Sequence, residues 1–125
     1  MIELWTVQMS SWRIAKARGI FLLDTTAMTG HPPFAPEFEY VRMYKRGELS
    51  EEAYTQLYKE RMAYSQIRYP NYWDNIEKKG VLALACYCKA GAFCHRILLV
   101  DLIIDYYKKK DIEVKYMGEI TKEPS

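Results

Sequence analysis

The chain has few of the features that mark fibrous, disordered or secreted proteins. Only 6 of its 125 residues are glycine and 5 are proline, while 50% are hydrophobic, so we expect a globular protein. The 3 cysteines form an odd set, and the first residues lack the charged, apolar and small-residue order of a secretory leader. A secreted disulfide scaffold is therefore not expected, and a reducing, cytoplasmic location is predicted.

Long apolar runs and a strong charge excess are also missing. The longest apolar stretch, 97–107, is interrupted by Asp101 and Asp105 and is shorter than the roughly 20 residues that cross a bilayer. The net charge of +2 is too small to indicate a nucleic-acid partner. We expect no membrane span, and one domain over 1–120 with a frayed tail over 121–125.

Runs of strand length alternate with helical patterns along the sequence. Strands are predicted over 2–9, 20–24, 81–88 and 112–117, and helices over 10–19, 37–46, 72–79, 94–110 and after Ser50. The run 20–24 is apolar without alternation, which predicts a strand that is buried on both faces. The order favours an α/β fold, a single-domain Rossmann-like sandwich with a small, mainly parallel sheet and flanking helices.

Polar and reactive residues gather where the predicted strands end. Ligands of open parallel sheets bind at the carboxyl ends of the strands, because the loops there lead into helix N-termini. The loops or strand ends concerned hold both histidines of the chain and two of its cysteines. The candidate ligand-binding residues are Ser10, Trp12, Arg13, Asp24, Thr25, Thr26, His31, Cys88, Cys94, His95 and Arg96.

The start of the helix over 94–110 is the strongest of these signals. Cys94, His95 and Arg96 stand in its first turn, where free N–H groups and the positive dipole end attract an anion. Arg96 offers a bidentate fork to a phosphate or carboxylate, and His95 offers a donor or a proton carrier. The alternative is that both side chains only solvate the helix start.

Catalysis at the same place would use His95, Asp24 or Cys94. Asp24 is a candidate general base or ribose-binding carboxylate, and its alternative role is to cap the turn that follows it. A tyrosine-phosphatase loop is disfavoured, because Ala90 occupies the position at which that loop places its cysteine ahead of Arg96. Whether the protein is an enzyme is left open.

The cysteines allow further interpretations. Cys86 and Cys88 lie two apart on a predicted strand, so their thiols share one face. Cys86 is interpreted as a small buried hydrophobe, whereas Cys88, at the strand end, is the better candidate for chemistry. A zinc site formed by Cys86, Cys88, Cys94 and His95 would depart from the usual spacing of paired zinc-binding cysteines. We therefore expect neither a metal nor a cofactor.

The string Cys-Tyr-Cys-x-Ala-Gly-x-Phe-Cys-His-Arg over 86–96 resembles the domain-of-unknown-function 488 family, in which a strand ending in cysteine precedes a Cys-His-Arg helix start. The segments 34–36, 44–47 and 50–54 look like its short, phage- and archaeal-virus-associated branch. The resemblance covers 6–119. It implies a compact Rossmann-like sandwich and, by analogy with other small Rossmann-like pockets, a nucleotide-type ligand.

The function expected from these signals is binding of a small anionic ligand, a nucleotide or nucleotide-derived molecule. In a viral setting, within the host cytoplasm, such a protein would sequester a signal molecule. The alternative is a hydrolase or N-glycosidase-like enzyme that acts on a nucleotide or nucleoside in the same pocket. A redox or metal protein that uses the cysteines, a partner-binding module that uses exposed tyrosines, and a homo-oligomer stay open.

Overall fold

A computed structural model describes residues 1–27, 30–88 and 92–121. In chain order the elements are β1 Ile2–Gln8, a 3-10 turn Met9–Ser11, α1 Trp12–Ala17, β2 Phe21–Asp24, α2 Phe38–Lys45, α3 Glu51–Arg68, α4 Pro70–Lys79, β3 Val81–Cys86, α5 His95–Lys108 and β4 Val114–Ile120. In these described ranges, no helix has both the length and the apolar character needed to cross a membrane. The predicted frayed tail lies outside the described residues except for Thr121.

The four strands form one parallel sheet in the order β2-β3-β1-β4. This arrangement confirms the predicted α/β, Rossmann-like sandwich. From β1 to β2 the chain moves one way across the sheet, and it then moves the other way to β3 and to β4. Because such crossovers are right-handed, α1 covers one face of the sheet and α2 to α5 cover the other.

The larger core lies between the sheet and α2 to α5. Leu82 and Leu84 of β3 and Leu4 of β1 point into it and are buried. The intervening residues of β3, Ala83 and Ala85, are buried on the opposite face against α1. β3 is therefore covered on both sides, which explains its continuous apolar sequence.

Two details of the strands differ from the sequence predictions. The apolar run of β2 predicts burial on both faces, but β2 lies at the sheet edge, and Phe21 is 39% exposed beneath the Lys79 ammonium. Strand order decides which strand forms an edge, and the composition of one strand does not reveal that order. β3 ends at Cys86, so that Cys88 follows the strand instead of ending it.

A register slip in β4 decides which face its last residues present. Leu4 of β1 pairs with Tyr116, but the next residue, Trp5, pairs with Gly118, so one residue of β4 is skipped. Because strand side chains alternate between faces, a slip of one residue turns every later side chain to the other face. Glu119 therefore faces α5, and Gly118 at the slip has a φ of 113°, a value that favours glycine.

Side chains of α3 fasten the segment that follows β2. They donate hydrogen bonds to consecutive backbone carbonyls of 33–35, a stretch where prolines prevent regular structure. The pairs are Ser65 Oγ to Pro33 at 2.5 Å, Tyr58 hydroxyl to Phe34 at 2.8 Å and Arg61 Nε to Ala35 at 2.8 Å. The three donors recur at helical spacing, so one side of α3 fixes the segment.

The Tyr58 hydrogen bond gives a test of this arrangement. Tyr58 is fully buried, and Tyr58→Phe leaves the Phe34 carbonyl without its donor. We expect the free energy of unfolding, measured with urea, to fall by about 1–2 kcal/mol. Tyr64→Phe is the matched control on α3, because that ring is 62% exposed, and its effect should stay below about 0.5 kcal/mol. Equal losses in the two variants would contradict the role given to Tyr58.

Candidate functional site

A cavity of about 180 Å³ opens beyond the carboxyl end of β3, bordered by α2, α3 and the start of α5. Its position is the one where parallel sheets bind ligands. Aromatic and apolar side chains form its walls, and buried thiols and an imidazole form its floor. The lining residues are Thr26, Ala27, Pro36, Phe38, Val41, Tyr44, Lys45, Tyr54, Cys86, Tyr87, Cys88, Phe93, Cys94 and His95.

Three aromatic rings build one wall of the cavity. The centroid of Phe93 lies 5.3 Å from that of Tyr44 and 5.4 Å from that of Tyr54, and the two tyrosines are 5.5 Å apart. Contacts of this kind hold the rings against one another in tilted and edge-on orientations. Lys45, next to Tyr44 on α2, adds a cationic group to the lining.

The three cysteines form a cluster at the floor. Their Sγ atoms lie within 4.8 Å of one another, and all three are reduced. Cys86 ends β3 and Cys94 is the N-cap of α5; both are buried, with their Sγ atoms 2.6 Å apart. Cys88 is only half-buried. The structure thus brings together the three cysteines that the sequence offers as a redox or metal group.

Arg96 lies behind this cluster and is not among the residues that line the cavity. Its fully buried guanidinium donates from Nε and Nη2 to the Glu119 carboxylate at 3.3 and 3.1 Å. Nη1 donates to Cys86 Sγ at 2.7 Å and to the Cys88 carbonyl at 2.9 Å. The fork that the sequence assigns to an outside anion therefore binds the carboxylate of Glu119.

The surroundings of the cluster favour a thiolate on Cys88. Hydrogen bonds from Cys86 and Cys94, assisted by the positive charge of Arg96, hold the pKa of the Cys88 thiol well below its usual range. Donation to Cys88 raises the pKa of Cys86, and the bond with Cys86 raises that of Cys94. Hydrogen bonds among the thiols and the charge of the adjacent Arg96 guanidinium therefore favour one thiolate in the cluster.

His95 is held in one tautomer by Thr25. Its Nε2 lies 2.6 Å from the Thr25 carbonyl and 3.0 Å from the Thr25 hydroxyl. Because a carbonyl only accepts, Nε2 carries the proton, and Nδ1 is the acceptor that lies 3.6 Å from Cys94 Sγ. Burial lowers the pKa of His95 to about 4, so the ring is uncharged at neutral pH and supplies no cation to a ligand.

The three sulfurs also have the spacing of a candidate metal site, because each offers one ligand atom and these atoms lie within 4.8 Å of one another. The Arg96 guanidinium already lies against Cys86 Sγ, and its positive charge disfavours a metal cation bound to that sulfur. The described residues form a cluster of three thiols.

The family model described as the active DUF488-N3 subclade matches residues 2–107. The chain belongs to this family. The matched segment includes the three cysteines, His95 and Arg96, whereas Glu119 lies beyond it. The finer likeness to a phage- and archaeal-virus-associated branch stays a prediction. No curated protein and no solved structure matched the chain.

Candidate residues after β2 have separate positions in this DUF488-N3 protein. Thr26 lines the cavity, and Thr25 lies behind it, where its hydroxyl donates to the Ala85 carbonyl at 2.9 Å. Asp24 Oδ1 accepts from the Thr26 N–H at 2.9 Å, which is the turn-capping role. His31 lies elsewhere, in a cavity of about 200 Å³ beside β2.

The candidates after β1 do not line the thiol cavity. Ser10 is exposed, and Trp12 stacks with Arg13, whose guanidinium carbon lies 5.3 Å from the ring centroid. The reason is topological: α1 covers the opposite face of the sheet, so the loop after β1 turns away from α2 to α5.

The walls of the cavity were not foreseen from the sequence. Tyr54 belongs to the apolar stripe of α3, which predicts core packing, and Val41, Tyr44 and Lys45 recur at helical spacing on α2. The same spacing describes a side of a helix that packs in a core and a side that lines a cavity. The sequence predicts a buried Cys86, which the structure confirms, but it does not predict the hydrogen bond from Arg96 to that sulfur.

The buried ion pair gives a second test. Glu119→Gln removes the charge that faces Arg96. Because Glu119 is 18% exposed and a thiolate remains near the guanidinium, we expect a smaller loss of stability than a fully buried broken pair would cause. The free energy of unfolding should fall by about 2–3 kcal/mol in urea. Glu39→Gln, in the exposed pair with Arg42, is the matched control and should cost less than about 0.5 kcal/mol. A control-sized loss in Glu119→Gln would refute the structural role of the pair.

The tautomer and burial of His95 predict an acid-sensitive stability. Its pKa of about 4 in the folded protein is below the value of about 6.5 in the unfolded chain, which therefore binds more protons between these values. Neutral His95 makes its full contribution to the free energy of unfolding above about pH 6.5. This contribution decreases by up to about 3 kcal/mol as the pH falls toward 4. Urea titrations at several pH values should show that the free energy of unfolding of His95→Gln falls less steeply with decreasing pH than that of the wild type. His31→Gln, on an exposed side chain, should keep the wild-type slope; the same slope in both variants would argue against the depressed pKa.

Proposed function

We propose that the protein is an enzyme that uses the Cys88 thiolate as a nucleophile on a small planar ligand of the nucleoside or nucleotide class. The observation that carries the proposal is the position of Cys88. It is the half-buried sulfur of the cluster, it lines the aromatic cavity, and two buried thiols lie within 4.8 Å of it. A thiolate is the attacking form of cysteine, and it is the form favoured here.

The anion expected at the start of α5 is a thiolate of the chain itself. A helix N-terminus and a guanidinium stabilise a thiolate for the same reason that they stabilise a phosphate. A second anion placed on the Cys88 sulfur would be repelled by it. This electrostatic arrangement supports the enzyme alternative over simple anion capture, and the description of the subclade as active agrees with it.

The cavity favours a ligand with one planar ring. Its volume of about 180 Å³ is close to the roughly 150 Å³ of an apolar cavity that takes benzene. Tyr44, Tyr54 and Phe93 offer ring surfaces for stacking. Lys45 is placed to pair with a phosphate or carboxylate that extends from the ring. A nucleotide whose base stacks on these rings and whose phosphate is directed toward Lys45 makes both the stacking contacts and the charged contact.

The residues around Cys88 have distinct roles in the proposed reaction. Cys88 Sγ attacks an electrophilic carbon of the ligand, the bond to the leaving group breaks, and water later cleaves the covalent adduct. Cys86 and Cys94 are buried, keep their protons and serve as hydrogen-bond donors to the thiolate. His95 Nδ1 lies 3.6 Å from Cys94 Sγ, and Asp24 does not line the cavity.

A ligand screen with wild type and Cys88→Ser tests the proposal. Free nucleobases, nucleosides and nucleoside 5′-monophosphates are compared by thermal shift, followed by chromatography of the recovered ligand and intact-protein mass spectrometry. A ligand at 100 times its dissociation constant adds about 2.7 kcal/mol of stability. We expect the hit to stabilise both proteins, and a product and a covalent adduct to form with wild type alone.

Lys45→Met and Arg46→Met form a matched pair for the ligand's anionic group. Lys45 lines the cavity, whereas the adjacent, exposed Arg46 does not. Lys45→Met should weaken binding of a monophosphate by up to about tenfold, or about 1.4 kcal/mol, and leave the nucleoside unaffected. Turnover by Cys88→Ser would exclude this nucleophile. Tight binding with the ligand recovered unchanged would instead support a binding protein, and no stabilisation by any probe would exclude the ligand class.

A further inference from the structure

The thiol cluster has a second chemical property that does not depend on a ligand ring. A half-buried sulfur faces the cavity, and two reduced, buried sulfurs lie within 4.8 Å of it. The walls around it are mostly aromatic and apolar. A small neutral molecule that enters such a space is not repelled by a thiolate. Hydroperoxides are small, neutral and thiolate-reactive.

We propose that Cys88 is an oxidation site, at which a hydroperoxide converts its sulfur to a sulfenic acid and Cys94 then closes a disulfide with it. The inference rests on the same half-buried Cys88 sulfur as the proposed function, but it requires neither the planar ligand nor its turnover. Oxidation would consume the nucleophile, so the peroxide would switch the proposed enzyme off until a thiol reductant restored it.

Both steps balance with the groups present and the peroxide. Cys88 Sγ attacks the distal peroxide oxygen, the O–O bond breaks, and the leaving hydroxide or alkoxide takes a proton from solvent; the sulfur has lost two electrons. The Cys94 thiol then releases its proton as its sulfur attacks Cys88 Sγ, the S–O bond breaks and water leaves. A small dithiol returns both cysteines to thiols by exchange and is itself oxidised.

Cys94 is a better resolving residue than Cys86. Cys86 is held at the end of β3 by pairing with Gln8 of β1 and by the Arg96 guanidinium at 2.7 Å. Cys94 is the N-cap of α5, its side chain makes no capping hydrogen bond, and its sulfur lies within 4.8 Å of that of Cys88. Cys86 is also separated from Cys88 by a single residue, so a bond between them would close the shorter, more strained ring.

The test uses hydrogen peroxide on the reduced wild-type chain at about pH 6, where free cysteine of pKa about 8.5 is almost entirely protonated. After alkylation of the remaining thiols, peptide mapping identifies the disulfide without any variant. We expect a Cys88–Cys94 bond, an alkylated Cys86, full reversal by dithiothreitol, and a rate at least about tenfold above that of free cysteine.

Two alanine variants provide the matched controls. Cys94→Ala should stop at a sulfenic acid on Cys88 that dimedone traps, whereas Cys86→Ala should still form the Cys88–Cys94 disulfide; circular dichroism checks that both are folded. A Cys86–Cys94 disulfide with Cys88 still reduced, or a rate no higher than that of free cysteine, would overturn the inference. Peroxide reactivity without ligand turnover would leave the inference standing and remove the proposed function, and the reverse result would do the opposite.

Discussion

The contacts of Arg96 connect the parts of the molecule that form the site. Its guanidinium, fully buried, joins α5 to Glu119 of β4, to the sulfur of Cys86 on β3 and to the backbone of Cys88. A buried cation is costly unless its donors are paired, so these partners and the guanidinium require one another. The position of the cluster follows from this requirement, because both Cys86 and Cys88 are held by the Nη1 group of Arg96.

The cavity combines this electrostatic arrangement with apolar walls. Tyr54 and Phe93 line the cavity beside the sulfurs, and charges act more strongly where the local dielectric constant is low. The neutral imidazole of His95 fits the same design, since a second cation next to Arg96 would be costly. A reactive sulfur is thereby placed next to a surface suited to flat organic molecules.

The sequence was sufficient for the elements, the parallel sheet and the helix start at Cys94, because hydrophobic periodicity and local caps are short-range signals. It was not sufficient for the roles of Arg96 and Cys86. The partner of Arg96, Glu119, is distant in the chain, and no local sequence pattern predicts their pairing. The edge position of β2 and the opposite side taken by α1 depend on strand order, which also removed Arg13 from the cavity. The tyrosines of α2 and α3 have the same spacing whether they fill a core or line a pocket.

The register slip beside Gly118 determines whether the carboxylate of Glu119 faces Arg96, and therefore affects the charge balance beside the cavity. If β4 instead paired with β1 without the slip, Gly118 would lie opposite Thr6, and the carboxylate of Glu119 would face α1 and be lost to Arg96. The family match ends at 107, so a chain trimmed to that boundary would keep every thiol and every wall residue yet lose the counter-ion. In this protein a change of register in the last strand is therefore equivalent to a charge mutation at the start of the preceding helix.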